Sequence, residues 1–193
     1  RMVVRAGADW IGLNFWPRSK RWINRERGLE IAAAARAERA DIVLVGVFVD
    51  QLEEGVRSIA DELGLSYVQL HGGESPGFCA GFGVRAIKAL AMSGSADVDR
   101  LADYPACETL LVDTPTPEYG GSGRTFDWSL ACAAVATGRR IVLAGGLNPG
   151  NVADAVATVR PFGVDVASGV ESAPGRKDEA LVCAFVAAAK GSP

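Results

Sequence analysis

Residues 141–171 read IVLAGGLNPGNVADAVATVRPFGVDVASGVE, and this stretch states one arrangement twice. An apolar run, Ile141 to Gly146, ends in paired glycines, and a second, Gly163 to Gly169, ends in ASG. Between them Val152, Ala155, Val156 and Val159 form a stripe at helical spacing, entered through Asn148 and Pro149. The reading is strand, helix, strand. Glycines after a strand permit close backbone approach, and the N–H groups that open the next helix can face an anion. Taken alone, a Gly-Gly turn is also an ordinary turn. The second loop, ASGVE at Ala167 to Glu171, precedes APGRKD, which suits a short extra helix or turn. Paired glycine loops after the last two strands are the recurrent phosphate site of a (β/α)8 barrel. Gly145, Gly146, Ser168 and Gly169 are therefore expected to hold a phosphate.

The same rhythm extends towards the N-terminus. IVLVGVF at Ile42 to Phe48 is a continuous apolar run of the kind a parallel sheet covers on both faces. Leu52, Val56, Ile59, Ala60 and Leu63 then recur at helical spacing before Gly64. Seven strands are expected near 10–15, 42–48, 67–71, 85–89, 109–113, 141–145 and 164–168, with helices over 27–39, 151–159 and 178–190 among those between them. Polar or glycine signals sit at successive strand ends: Asn14, Gln69 with His71, Lys88, Asp113, Gly145 with Gly146, and Ser168 with Gly169. Contributions from so many strands fit a ring of loops round one mouth better than one crevice at a switch point. The expected fold class is α/β, a (β/α)8 TIM barrel with about seven βα units visible and strand 1 absent, forming a single incomplete domain over 1–193. Met2 to Ala8 reads as the end of a helix leading into the first visible strand, so an upstream segment is expected.

Composition narrows the function. Apolar residues make up 49% and charged residues 22%, ordinary globular values, and 20 basic against 23 acidic side chains give a net charge of -3. No nucleic-acid partner is expected, although the run Arg18 to Arg21 can serve a small anion. Cys79, Cys107, Cys132 and Cys183 are too dispersed for a zinc site or redox pair, and His71 is the one histidine. No metal or organic cofactor, no membrane partner and a cytoplasmic location are expected. No G-x-G-x-x-G follows a strand and no GxxxxGK[ST] occurs, and GGSG at Gly120 to Gly123 reads either as a lid loop or as plain surface loop.

Asp113 ends TLLVD, where an apolar environment can raise a carboxyl into the range of a general acid, although an aspartate there can also cap the next loop. His71, ending VQLHG, can donate a hydrogen bond, titrate, or play a structural part. Arg21 lies in WPRSKRWI; its guanidinium can clamp a carboxylate, with Phe15, Trp16 and Trp22 as an aromatic wall, or belong to a solvated basic loop. Asp165, inside the last strand, needs partners if it points inward, and Lys88 reads as a second inward polar residue with little to suggest a Schiff base.

GLNFWPRSKRWI, VGVFVD, VQLHG, LLVDT, GGSGRTFDW, LAGGLNPGNV and GVDVASGVE followed by PGRKD stand in the order found in the phosphoribosylanthranilate isomerases of tryptophan biosynthesis, which the chain resembles over nearly its whole length. The resemblance implies a (β/α)8 barrel catalysing an Amadori rearrangement of N-(5-phosphoribosyl)anthranilate to 1-(2-carboxyphenylamino)-1-deoxyribulose 5-phosphate, without cofactor. It implies that Asp113 is the general acid, that Arg21 binds the anthranilate carboxylate, and that Gly145, Gly146, Ser168 and Gly169 bind the ribose phosphate, with His71 and Asp165 supporting. It implies a small phosphoribosyl substrate and a monomer or homodimer for the complete protein. The family's general base is a cysteine in a first strand reading K-I-C-G, which has no counterpart here, so reduced turnover is expected. The alternatives are a phosphate-ligand-binding barrel without turnover, or another phosphosugar enzyme on the same scaffold. Few histidines weaken an epimerase, and the lack of an early lysine and glutamate weakens an indoleglycerol-phosphate synthase.

Overall fold

The computed structural model describes residues 1–82, 85–114 and 127–191. Its main sheet holds β1 (Trp10–Asn14), β2 (Val43–Phe48), β3 (Tyr67–Leu70), β4 (Arg85–Ala91), β5 (Thr109–Asp113), β6 (Arg140–Leu143) and β7 (Gly163–Val164), all parallel and paired in chain order. The helices α1 (Met2–Arg5), α2 (Arg25–Glu38), α3 (Glu53–Leu63), α4 (Pro76–Ala80), α5 (Ser95–Asp99), α6 (Trp128–Ala136), α7 (Val152–Val159) and α8 (Glu179–Lys190) alternate with them. Gly64 ends α3 in the left-handed conformation (φ 60°), and Asp178 caps α8 by accepting from the Leu181 N–H. Among the described residues β1 and β7 do not pair with each other, so the curved sheet stays open along one seam. This is the expected barrel with seven of its strands.

Residues alternate between two apolar layers, as the pleat requires. Val45, Tyr67, Ile87, Leu111, Val142 and Ala144 face inward, while Leu44, Val68, Leu90, Leu110, Ile141 and Leu143 pack outward under the helices. At the N-terminal ends of the strands Trp10 stacks on Tyr67 (4.7 Å between ring centroids), Phe162 lies 6.1 Å from Trp10, and the Arg140 guanidinium covers Phe162 while pairing with Glu108. These side chains form the floor of the open barrel.

One expectation about strands changes, and one open alternative is decided. The last strand does not run over 164–168: β7 stops at Val164, one further bond joins Asp165 N–H to the Leu143 carbonyl, and Ser168–Val170 forms a 3-10 turn. With a sheet partner on one side only among the described residues, this segment lacks the second ladder that would keep it extended. Of the two forms expected for the APGRKD segment, helix or turn, the turn is found, joining β8 (Glu171–Ala173) and β9 (Arg176–Lys177) in a β-hairpin. No described helix is long and apolar enough to cross a membrane.

Candidate active site

Register decides which strand-end residues meet. Val112, Leu143 and Val164 pair across β5, β6 and β7, and all three face outward. One position further, Asp113, Ala144 and Asp165 form the next row and face inward, leaving only the Ala144 methyl between the two carboxylates. They line a cavity of about 1090 Å³, together with Arg21, His71, Gly145, Gly146, Ser168 and Lys177. The sequence-derived candidates therefore converge on one place, with two exceptions: Gly169, which packs against the first glycine loop at Leu147 and Asn148 rather than lining the cavity, and Lys88. Lys88 lies in the row of Leu70 and Leu110, which faces the helices. Its ammonium donates to the carbonyls of Leu70 (3.1 Å) and Gly72 (2.6 Å) and to Glu74 Oε2 (2.8 Å). Glu74 also accepts from the Asp50 and Gly72 N–H groups, so this buried pair is well satisfied and shapes the loop after β3. The inward reading of Lys88 fails because the pleat turns it to the other face.

Asp113 is buried and built into its surroundings. Its Oδ1 accepts from the Thr114 N–H at 2.7 Å, and its Oδ2 lies 3.4 Å from His71 Nε2. The Gln69 amide nitrogen is 3.1 Å from His71 Nδ1. That nitrogen can only donate, so Nδ1 accepts and Nε2 presents its proton to Asp113. Gly145 (φ 89°) fits beside them because it lacks a side chain: a Cβ there would stand 2.7 Å from Thr114 N and 2.9 Å from Asp113 Oδ1. The first glycine loop thus rests on Asp113 and Thr114.

The two glycine loops also meet each other. A Cβ on Gly169 would run into the Leu147 carbonyl oxygen and lie 3.0 Å from Asn148 Cα. The first loop is braced from within, since Asn148 N–H donates to Asn151 Oδ1 (2.8 Å) and Asn151 Nδ2 to the Gly146 carbonyl (3.1 Å). At the start of α7 the Asn151 and Val152 N–H groups are already taken by the Asn148 carbonyl (3.2 and 3.1 Å), so an anion here would rely on the backbone of the glycine loops.

On the side of β1, Arg21 offers its Nε and Nη2 to Glu171 (2.8 and 2.7 Å), and Lys177 donates to Glu171 Oε1 (3.2 Å) and the Ala167 carbonyl (2.7 Å). Arg21 is thus not in a merely solvated loop. Of the expected aromatic wall, Trp16 lines the cavity; Phe15 is buried on the outer layer, stacked on Phe48, and Trp22 is exposed. Glu171 and Lys177 are partners that sequence reasoning missed, although both stand in the quoted motifs; their pairing depends on a hairpin that no periodicity announces. Burial would raise the Glu171 carboxyl, but the Arg21 hydrogen bonds and the charges of Lys177 and Arg21 hold it below its ordinary value.

Asp165 behaves oppositely. Protein crowded round it pushes its carboxyl above the ordinary value, the Asp113 charge adds to this, and Lys177 and His71 oppose it. Its surface is open to the cavity, so solvent tempers the crowding. Cys79 and Cys107 are buried in the outer core, and no cysteine lines the cavity among the described residues. Among the described residues no cluster of His, Cys, Asp and Glu is arranged to hold a metal ion. GGSG falls outside the described residues.

The model of the N-(5'-phosphoribosyl)anthranilate (PRA) isomerase family matches residues 1–188. The N-(5'-phosphoribosyl)anthranilate isomerase of Myxococcus xanthus strain DK1622 is 48% identical over 189 residues, spanning 96% of this chain and 87% of its own. The crystal structure of phosphoribosyl anthranilate isomerase from Thermotoga maritima superposes with a TM-score of 0.91 at 43% identity, covering 98% of this chain and 92% of that one. A second solved phosphoribosyl anthranilate isomerase, in complex with reduced 1-(o-carboxyphenylamino)-1-deoxyribulose 5-phosphate, has a TM-score of 0.87 at 38% identity and covers 98% and 91% of the two chains. Likeness in sequence and fold over almost the entire length places this chain in the N-(5'-phosphoribosyl)anthranilate isomerase family.

Proposed function

We propose that the cavity binds N-(5-phosphoribosyl)anthranilate and carries the acid half of its Amadori rearrangement to 1-(2-carboxyphenylamino)-1-deoxyribulose 5-phosphate. The observation that carries this reading is the row Asp113–Ala144–Asp165, set between two anion-binding features: the glycine loops on one side and Arg21 on the other. Phosphate at Gly145, Gly146, Ser168 and Gly169 and carboxylate at Arg21 fix both ends of the substrate, and the ribose ring falls between them. Asp113 then protonates the ring oxygen. The C1'–O bond breaks to leave a Schiff base, loss of the C2' proton gives an enolamine, and this tautomerises to the ketone. His71, its proton directed by Gln69, donates towards Asp113 Oδ2 and stabilises the carboxylate once its proton is gone.

The C2' proton needs an acceptor, and none of the four cysteines stands on the cavity wall. This observation favours a second reading for the 193 residues taken alone, ligand binding with little turnover. Both readings are tested by measuring turnover of phosphoribosylanthranilate by its fluorescence and binding of the reduced product analogue by calorimetry. The 193-residue chain should bind the analogue, and Asp113→Asn should abolish any turnover while leaving that affinity within a few-fold. Substantial turnover in D113N would overturn the assignment of the acid, and failure of the parent chain to bind the analogue would overturn the substrate.

A further inference from the structure

Glu171 follows the second glycine loop directly and opens β8, and its side chain is 4% exposed. A carboxylate this enclosed is costly unless its lone pairs are met. Here they are met in a specific way. One oxygen accepts from Arg21 Nε and from Lys177, and the other accepts from Arg21 Nη2. Lys177 is anchored in turn on the Ala167 carbonyl, one residue before Ser168.

A guanidinium has two bidentate edges, one formed by Nε with one terminal nitrogen and the other by the two terminal nitrogens. Glu171 takes the first and leaves the Nη1/Nη2 edge for a second carboxylate. A long arginine side chain loses substantial rotamer freedom when it is fixed. Holding it in advance moves that loss from binding to folding. The charge balance is favourable as well. Arg21 and Lys177 against Glu171 leave one net positive charge beside the cavity, so the strap does not cancel the attraction for an anion.

We propose that Glu171 is a positioning residue for substrate recognition: by clamping one edge of Arg21 it aims the other at the substrate carboxylate, and Lys177 fixes it relative to the phosphate loop. This rests on the carboxylate-binding role given to Arg21 above. It differs from a plain structural strap because it concerns one end of the ligand and not the other.

Two probes separate the possibilities: the reduced product analogue, which carries both anionic ends, and ribose 5-phosphate, which lacks the carboxylate. Calorimetric titration of the 193-residue chain should show that Arg21→Met weakens the analogue at least tenfold and leaves ribose 5-phosphate within twofold. Glu171→Gln should give the same pattern, adding nothing in the R21M background, because the two residues act as one unit. Glu171→Asp, which restores the charge, should recover part of the loss, and melting curves for each variant confirm that it is folded. If R21M leaves analogue affinity unchanged, the carboxylate site itself is wrong. If R21M acts but E171Q does not, or E171Q weakens both probes alike and adds to R21M, the positioning role is overturned while Arg21 keeps its place.

Discussion

Asp113 and Asp165 stand on either side of the Ala144 methyl, so the Asp113 charge is felt at Asp165, where Lys177 opposes it. The raised Asp165 carboxyl means that the folded state holds its proton more tightly than the unfolded chain, whose value is near 3.8. The penalty is absent below about pH 4, grows as pH rises through the folded value, and is complete above it. Asp165→Asn is therefore expected to raise the melting temperature at pH 7, with the gain vanishing towards pH 4 in a calorimetric series; a loss of stability at pH 7 would show that Lys177 and His71 satisfy the charge. Glu171 has the opposite slope, since its depressed carboxyl contributes stability above about pH 4.5 and loses it as pH falls. Single residues were unevenly legible in sequence. Asp113 and the glycines stand out because their types are unusual at apolar strand ends, and Arg21 because it sits among aromatics in a basic loop, whereas Lys88 misleads because strand parity, not residue type, decides which face it joins.

At the scale of elements, the two glycine loops act as one part because their backbones touch. Gly169→Ala would drive a methyl into the Leu147 carbonyl, which is backbone and cannot swing aside. Separating the loops should cost at least tenfold in ribose 5-phosphate affinity by calorimetry, with a lower melting temperature. Gly55→Ala in α3 is the contrasting change, as nothing lies within 4 Å of its Cβ position, and it should stabilise by up to about 1 kcal/mol without touching affinity. The helices and most strands could be read from spacing, since 3.6-residue stripes and long apolar runs are local signals. The hairpin could not, because β8 and β9 together hold five residues whose conformation is set by Lys177, Glu171 and Arg21 rather than by any pattern of their own. The early end of β7 escaped for the same reason: GVDVASG has strand composition, and whether a strand is paired on both sides is not written in its own residues.

For the molecule as a whole, the open seam is the feature that composition could not disclose and the counting of strands could. Ile11 of β1, Val164 of β7, Val166, and Phe185 and Val186 of α8 belong to the outer apolar layer and border the cavity where it opens along the seam, beside two strand edges. The 193-residue chain is expected to enhance the fluorescence of anilinonaphthalene sulfonate under native conditions and to self-associate with rising concentration in sedimentation velocity. A dye-silent monomer would show that the seam is closed in solution. The strand order carries a different implication. In the main sheet every described strand after β1 pairs with its immediate predecessor, and no partners there are further apart along the chain than Trp10 and Val43. A ribosome releasing this chain N-terminus first would present each new strand to a partner already in place, so the sheet can grow as it is synthesised, with a single advancing edge and no wait for a distant segment.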